Sequence, residues 1–284
     1  LKKVLITGAA GAFGRSVVSH IDALGGFQIF SLMRHSIERV PGDVVHCDLR
    51  NSEQLTTTLQ SVKPDFILHL AATFTGSLEE VYGINVEPAR HILEWVEHNS
   101  IKTRVVLIGS AAEYGVVKPE ENPISEDHTL FPVSVYGVSK AWQTQLLGLY
   151  ASRGVDVLCA RIFNLFGPGI SNKLFAGRLQ WLIQEILAER KNVIEVGSLA
   201  AIRDYVSLDE AARQLVDISN YGAASEIYHV GSGVPIAMHE FLRLQLEFHG
   251  LDQSIVRVSP DFSNRHGYDV PMIYANMQKT KALG

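Results

Sequence analysis

LKKVLITGAAGAFGRSVVSHIDAL, residues 1–24, is the stretch on which the fold turns. Val4, Leu5 and Ile6 make a short strand-like apolar run that stops at Thr7-Gly8, after which Phe13, Val17, Val18, Ile21 and Leu24 recur at helical spacing. The order is strand, glycine turn, helix. Strand-like runs at 27–33, 43–47, 65–70, 104–109 and 155–162 follow, separated by helical stretches near 52–61, 79–99 and 136–153. Repeated β-α units predict an α/β chain with a doubly wound parallel sheet, because parallel neighbours need crossover connections that helices supply. The strands are almost entirely apolar, as helices on both faces of a sheet require.

Beyond residue 165 the rhythm changes. Phe166-Gly167-Pro168-Gly169 interrupts the chain, a longer helix is expected over 174–190, and short elements then alternate without strict order. This reading gives a nucleotide-binding domain over 1–165 and a smaller C-terminal α/β substrate lobe over 166–284, with parts of 203–230 returning to the first domain.

Of the 284 residues 46% are apolar and 19% charged, which excludes intrinsic disorder, and no apolar run is long enough for a membrane helix. A net charge of −5 without a basic tract argues against nucleic acid or an anionic membrane as partner. Two cysteines, Cys47 and Cys159, and no secretory leader lead to the expectation of a cytoplasmic protein. Leu1 and Gly284 are read as trimmed ends. Eleven histidines show no His-Glu-x-x-His or Cys-x-x-Cys arrangement, so no metal site is expected, and no Gly-x-Ser-x-Gly elbow supports a hydrolase.

Gly8, Gly11 and Gly14 stand between the first strand and helix, where glycine permits a positive-φ turn and close approach of a pyrophosphate to the positive end of the helix. A tight βα turn alone would use the same residues. Position after the first strand of a parallel sheet favours the dinucleotide. The second strand ends at Ser31-Leu32-Met33-Arg34, without the acidic residue that accepts from an adenosine ribose. Arg34, with Arg39 as a second cation, suits a 2′-phosphate, which favours NADP over NAD. Asp48 either accepts from the adenine amino group or caps the helix starting near Ser52.

Tyr136 and Lys140 have the i, i+4 spacing that places phenol and ammonium on one helical face. A nearby Lys⁺ is expected to stabilise the phenolate and bring its pKa towards neutrality, so that Tyr136 exchanges a proton while a nicotinamide exchanges hydride. Ser110, at the end of the 104–109 strand, is placed to bond the same reacting oxygen.

Seven ordered segments resemble the extended short-chain dehydrogenase/reductases of the NAD(P)-dependent sugar-nucleotide epimerase/dehydratase group. They are ITGAAGAFG (6–14), HLAA (69–72), IGSAAEYG (108–115), SVYGVSKA (134–141), ARIFNLFGPG (160–169), RDYVSLDEAA (203–212) and YHVGSG (228–233). The resemblance implies a Rossmann-like fold with Ser110, Tyr136 and Lys140 as the catalytic group. It implies a cofactor site lined by Gly8, Gly11, Ala12, Phe13, Gly14, Arg34, Asp48, Leu49, Leu70, Ala71, Ala72, Tyr136 and Lys140. Ser110 and Asn164 would touch the substrate, and Arg203 and Arg265 would clamp its diphosphate. The final segment of the family continues a little beyond Leu283-Gly284.

Departures narrow the choice. Dehydratases of the group carry an acid two residues before Tyr114, where this chain has Ala112, preceded by Ala111; reductases that also epimerise carry Cys at that position. The stretch 108–141 is especially similar to GDP-4-keto-6-deoxy-D-mannose reductases. The expected activity is therefore NADPH-dependent reduction of a nucleotide-linked 4-keto-6-deoxyhexose, with an NAD-dependent nucleotide-sugar 4-epimerase as the alternative and a non-catalytic dinucleotide sensor as a remote third. Apolar positions Ile92, Trp95, Trp142, Leu146 and Leu149 exceed what one sheet face needs, so a homodimer through these helices is expected alongside burial within one subunit.

Overall fold

Lys2–Thr7 forms strand β1, whose alternate side chains feed two different cores: Val4 and Ile6 enter one, Leu5 the other. The computed structural model describes residues 1–34, 40–99, 102–259 and 270–284. After β1 come α1 (Ala12–Leu24), β2 (Phe27–Met33), β3 (Asp43–His46), α2 (Ser52–Val62), β4 (Phe66–His69), α3 (Leu78–Asn85) and α4 (Glu87–Asn99). Then follow β5 (Arg104–Ser110), α5 (Val135–Ala151), β6 (Val157–Ile162), β7 (Asn164–Phe166), α6 (Phe175–Leu187), β8 (Ile194–Val196) and β9 (Ile202–Ser207). The chain ends with α7 (Leu208–Tyr221), β10 (Ile227–Val230), β11 (Pro235–Ala237), α8 (Met238–Phe248), β12 (Val256–Val258) and α9 (Gln278–Lys281).

Seven strands form one sheet in the order β10-β6-β5-β4-β1-β2-β3, every neighbouring pair parallel. One face is covered by α1 and α7, where Val17, Val18 and Ile21 meet Ala211, Leu215 and Val216. The other is covered by α2, α4 and α5 through Leu55, Leu59, Ile92, Leu93 and Leu147. Strand order reverses between β1 and β4, so the crevice at their carboxyl ends is where an open parallel sheet binds its ligand. The sheet is the doubly wound one expected from the alternating pattern.

A three-stranded sheet, β11-β9-β7, and a parallel pair, β12-β8, lie beyond it. Leu179, Ile183, Ile194, Tyr205, Phe241 and Leu246 form their core, with the rings of Tyr205 and Phe241 stacked 3.9 Å apart.

The helix expected over 79–99 is two helices. Val86 closes α3 and Pro88 lies in the first turn of α4, where a missing N–H cannot bond the carbonyl four residues back. The α3 start is fixed by a capping box, Ser77 accepting from Glu80 N–H while the Glu80 carboxylate accepts from Ser77 N–H. Ile92 and Trp95 are buried inside the subunit and Leu146 is half-buried against the same core, so for these three the alternative of burial within one subunit holds. Trp142 and Leu149 do remain exposed.

Candidate functional site

The glycine turn has no room for side chains. Gly8 has φ +70°, and a Cβ there would sit 2.8 Å from the Ala71 amide nitrogen, while one on Gly14 would sit 2.2 Å from the Gly8 carbonyl oxygen. The turn therefore packs directly on the Leu70-Ala71-Ala72 backbone that leaves β4. Gly11 is the N-cap of α1 and supplies no side-chain cap, so the first amides of α1, at Ala12, Phe13 and Gly14, face outward as anion donors. The Phe13 ring itself turns into the core, and Leu70 packs against the same cluster.

At the far end of the crevice Arg34, His46, Cys47, Asp48, Arg50 and Gln54 line a cleft of about 500 Å³. The Arg50 guanidinium grips Asp48 at 2.7 Å, and this pairing holds the carboxyl down to about 2. The cap of α2 is Asn51, whose side chain accepts from Gln54 N–H at 3.0 Å, so the capping role considered for Asp48 falls to Asn51. Arg39 lies outside the described residues; the second guanidinium in the cleft is Arg50. Leu49 lies in the adjoining cavity, beside Thr75, Gly76 and Glu80. A cradle that any Cβ would fill, leading to a cleft with two guanidinium groups, fits a dinucleotide with its pyrophosphate on α1.

Ser110, Tyr136 and Lys140 converge where β5 meets α5. Ser110 caps a 3-10 turn, Ala111–Glu113, its hydroxyl accepting from Ala112 N–H at 3.2 Å. Helix α5 starts at a Ser134 cap, and Gly137 in its first turn lies so close that a Cβ would sit 2.4 Å from the Ala112 carbonyl oxygen. That contact brings the Ser110 hydroxyl close enough to the Tyr136 phenol to act on its protonation.

The expected acidification of the phenol is not what the structure shows. Burial pushes Tyr136 up to about 12, opposed by the Ser110 hydrogen bond and reinforced by the charge of Glu113. Lys140 is completely buried, and its ammonium donates to the Ile108 carbonyl at 2.9 Å and Gln143 Oε1 at 2.8 Å. Its own pKa is pushed down to about 8 by desolvation. Helical spacing puts the two residues one turn apart, but the Lys140 ammonium is turned to the Ile108 carbonyl and Gln143, and burial sets the phenol's shift.

Several polar partners of this site were missed in the sequence. Thr7 Oγ1 accepts the Ala71 N–H at 3.1 Å and shares a hydrogen bond with His69 Nδ1 at 2.9 Å, so the other polar atom of that ring is Nε2. That nitrogen has no hydrogen-bond partner among the described residues, and burial, with Lys140 adding, pushes His69 down to about 3. Asn85 Nδ2 donates to Ser139 Oγ at 2.9 Å and to the Thr73 carbonyl at 2.8 Å, tying α3 to α5 beneath Tyr136. Glu113 pairs with Arg161 of β6 at 2.9 Å. Arg161 carried a signal in its sequence: a charge within the otherwise apolar run Val157–Ile162 must find a buried partner.

On the substrate side, Asn164 Nδ2 donates to the Asp204 carbonyl at 3.0 Å, joining β7 to β9, and Arg203 Nη1 donates to the Ile202 carbonyl at 2.9 Å. Asp204, unassigned from sequence, is fully buried and collects the Ser232 N–H, the Ser232 hydroxyl, the Gly233 N–H and the Ala275 N–H at 2.7–3.2 Å. It holds the strand carrying Arg203 against the loop after β10. Lys173 reaches across the crevice to Thr75 Oγ1 at 3.4 Å. Arg265 lies outside the described residues. Among the described residues no cluster of His, Cys, Asp and Glu could hold a metal ion, and no helix is long and apolar enough to cross a membrane.

Comparison with known proteins points the same way. Residues 4–231 match the NAD dependent epimerase/dehydratase family. Over 285 residues the chain is 25% identical to the GDP-6-deoxy-D-talose 4-dehydrogenase of Aggregatibacter actinomycetemcomitans, covering 98% of this chain and 89% of that one. Over 201 residues it is 25% identical to the GDP-6-deoxy-D-mannose reductase of Pseudomonas aeruginosa, covering 68% of this chain and 66% of that one. The UDP-glucose 4-epimerase of Thermus thermophilus, solved in complex with NAD, superposes with a TM-score of 0.85 at 25% identity, covering 99% of this chain and 92% of that one.

Proposed function

The chain belongs to the NAD dependent epimerase/dehydratase family of nucleotide-sugar enzymes, and we infer that it is an NADPH-dependent reductase of a nucleotide-linked 4-keto-6-deoxyhexose, of the GDP-4-keto-6-deoxymannose type. The observation that carries this reading is the grouping of Ser110, Tyr136 and Lys140 where β5 meets α5, in a crevice whose far end holds Arg34 and Arg50. Burial pushes the Tyr136 phenol up to about 12, and a protonated phenol can donate to a carbonyl oxygen, the step a reduction requires.

When bound, the reduced nicotinamide supplies the hydride that reaches the carbonyl carbon. The Ser110 hydroxyl orients the oxygen, and Tyr136 delivers the proton that completes the alcohol. Lys140, one helical turn beyond Tyr136, would add positive charge near the nicotinamide end of the crevice, its ammonium held by the Ile108 carbonyl and Gln143. Arg34 and Arg50 would receive the 2′-phosphate of NADPH, and the α1 amides its pyrophosphate. Asn164 and Arg203, with Arg265, would hold the nucleotide end of the substrate. Ala111 and Ala112, with no carboxyl of their own, speak against a 4,6-dehydratase. Both curated relatives named above are GDP-6-deoxyhexose oxidoreductases by name, which supports the same substrate class.

The test is consumption of NADPH. Purified protein mixed with GDP-, UDP- or dTDP-linked 4-keto-6-deoxyhexose is expected to oxidise one NADPH per carbonyl and to require its addition. Protein that purifies with tightly held NAD⁺ and interconverts a UDP-hexose without added cofactor is an epimerase instead. The exposed Trp142, packed edge-on against Tyr82, and Leu149 support a homodimer through α5, which light scattering of the purified protein checks.

A further inference from the structure

The turn after β5 repeats a motif used elsewhere in the chain, with one difference. Ser77 and Glu80 form a capping box whose carboxylate is in solvent; Ser110 and Glu113 form another, but here the carboxylate is buried and clamped by an arginine. The Glu113 and Arg161 side chains are 0% and 1% exposed. Both guanidinium contacts, Nε at 3.1 Å and Nη2 at 2.9 Å, fall on Oε2, which leaves Oε1 to accept the Ser110 N–H at 2.7 Å. Gly109 makes this possible, since a Cβ there would lie 2.5 Å from Oε1. Arg161 Nη1 is held in turn by the Tyr114 hydroxyl at 2.7 Å and the Glu126 carbonyl at 3.1 Å. Tyr114 continues the chain to His229 Nε2, and His229 Nδ1 to the Asn276 carbonyl.

Burying an ion pair this deeply is a poor way to gain stability, because well-packed apolar side chains of equal volume do as well or better. The arrangement makes sense as alignment. Resting on the catalytic reading of Ser110 and Tyr136, we propose that Glu113 is a positioning residue: its carboxylate, fixed by Arg161, pins the Ser110 backbone amide and so aims the Ser110 hydroxyl at the Tyr136 phenol. The side chain of Ser110 is one rotatable bond from the pinned backbone, and Gly137 of α5 abuts the same turn at Ala112. Glu113's charge also favours retention of the protons on Tyr136 and Lys140.

Two double substitutions separate alignment from stability. E113M/R161M replaces the pair with apolar volume and removes the acceptor for Ser110 N–H; E113Q/R161M restores an uncharged acceptor with no guanidinium to oppose the amide. Urea unfolding, NADPH titration by fluorescence, and kcat and KM for NADPH-dependent reduction are measured on both, on the wild type and on Y136F. The proposal expects E113M/R161M to fold, to bind NADPH within about twofold of wild type, and to lose kcat by at least about 30-fold with KM within about threefold. E113Q/R161M is expected to recover kcat to within about fivefold of wild type. Should E113M/R161M not fold, the E113Q/R161M comparison with wild type stands by itself. A kcat within threefold of wild type in E113M/R161M, or a 30-fold loss in E113Q/R161M, overturns the positioning role. Full turnover by Y136F removes the catalytic reading and the proposal with it, whereas a dead Y136F beside a fully active E113M/R161M removes the proposal alone.

Discussion

Acid should unfold this protein through two histidines well before its carboxylates protonate. His69 and His229 are fully buried, and desolvation is the main reason each is pushed down to about 3 from 6.5; Lys140 adds to the effect at His69, and Arg161 and Lys279 at His229, against a hydrogen bond to Asn276. A base whose pKa is lowered by folding binds a proton more readily in the unfolded chain. Its contribution is intact above pH 6.5 and is lost progressively as pH falls from 6.5 towards 3. Each ring then loses about 1.4 kcal/mol per pH unit, so moving from pH 7 to pH 5 removes about 2 kcal/mol per histidine and about 4 kcal/mol in all. Against a domain stability of about 5–15 kcal/mol this is a large fraction. Depressed carboxylates such as Asp48, down to about 2, enter only below about pH 4 and leave this window clear. The assay is urea unfolding followed by tryptophan fluorescence at pH 7, 6 and 5. His69→Asn, whose side-chain amide can still hydrogen-bond Thr7, and His229→Gln, whose amide oxygen still accepts from Tyr114, should each halve the pH dependence. A stability that changes by less than about 0.5 kcal/mol from pH 7 to 5, or a slope that neither substitution reduces, refutes the reasoning.

Three other outcomes follow from the geometry. Gly14→Ala drives a Cβ into the Gly8 carbonyl oxygen and should cost about 3 kcal/mol of stability, read in urea, together with NADPH binding read by fluorescence titration. Asp204→Ala leaves the Ser232, Gly233 and Ala275 donors without their buried acceptor and should lower stability by about 3 kcal/mol or more, measured by urea unfolding. Arg34→Ala should weaken NADPH binding by about 2 kcal/mol, a charged hydrogen bond's worth, while NADH binding stays within about twofold, both measured by isothermal titration.

What could be read in the sequence was local. β1, the glycine turn and α1 were legible because a short apolar run, three glycines and a 3.6-residue period sit side by side, and each demands the next. Ser110, Tyr136 and Lys140 were legible by position, and the structure brings them to one place. Their electrostatics were not, because i, i+4 spacing says which face a side chain occupies and nothing about how much water surrounds it. Lys140 is buried against β5, where its ammonium meets the Ile108 carbonyl, and Tyr136 is half-buried beside the 111–113 turn, neighbours that the helix sequence does not contain. Glu113 and Arg161 lie 48 residues apart and meet only because β5 and β6 are neighbours in the sheet. The break between α3 and α4 was readable at Pro88 and was outweighed by a continuous apolar period across it. Asp48 was considered as a cap because it precedes a helix, but Asn51 sits at the residue where the orphan amides begin.

The account rests on a protonated Tyr136 giving its proton to a carbonyl oxygen, and single-turnover oxidation of NADPH by wild type and Tyr136→Phe tests that most directly. With enzyme in excess over GDP-4-keto-6-deoxymannose, the wild type is expected to consume one NADPH per sugar. Tyr136→Phe is expected to bind NADPH within about twofold of wild type and to slow that oxidation by about 10²–10⁴-fold, the usual worth of a positioned general acid. Equal rates for the two proteins, with the sugar reduced by both, would contradict it.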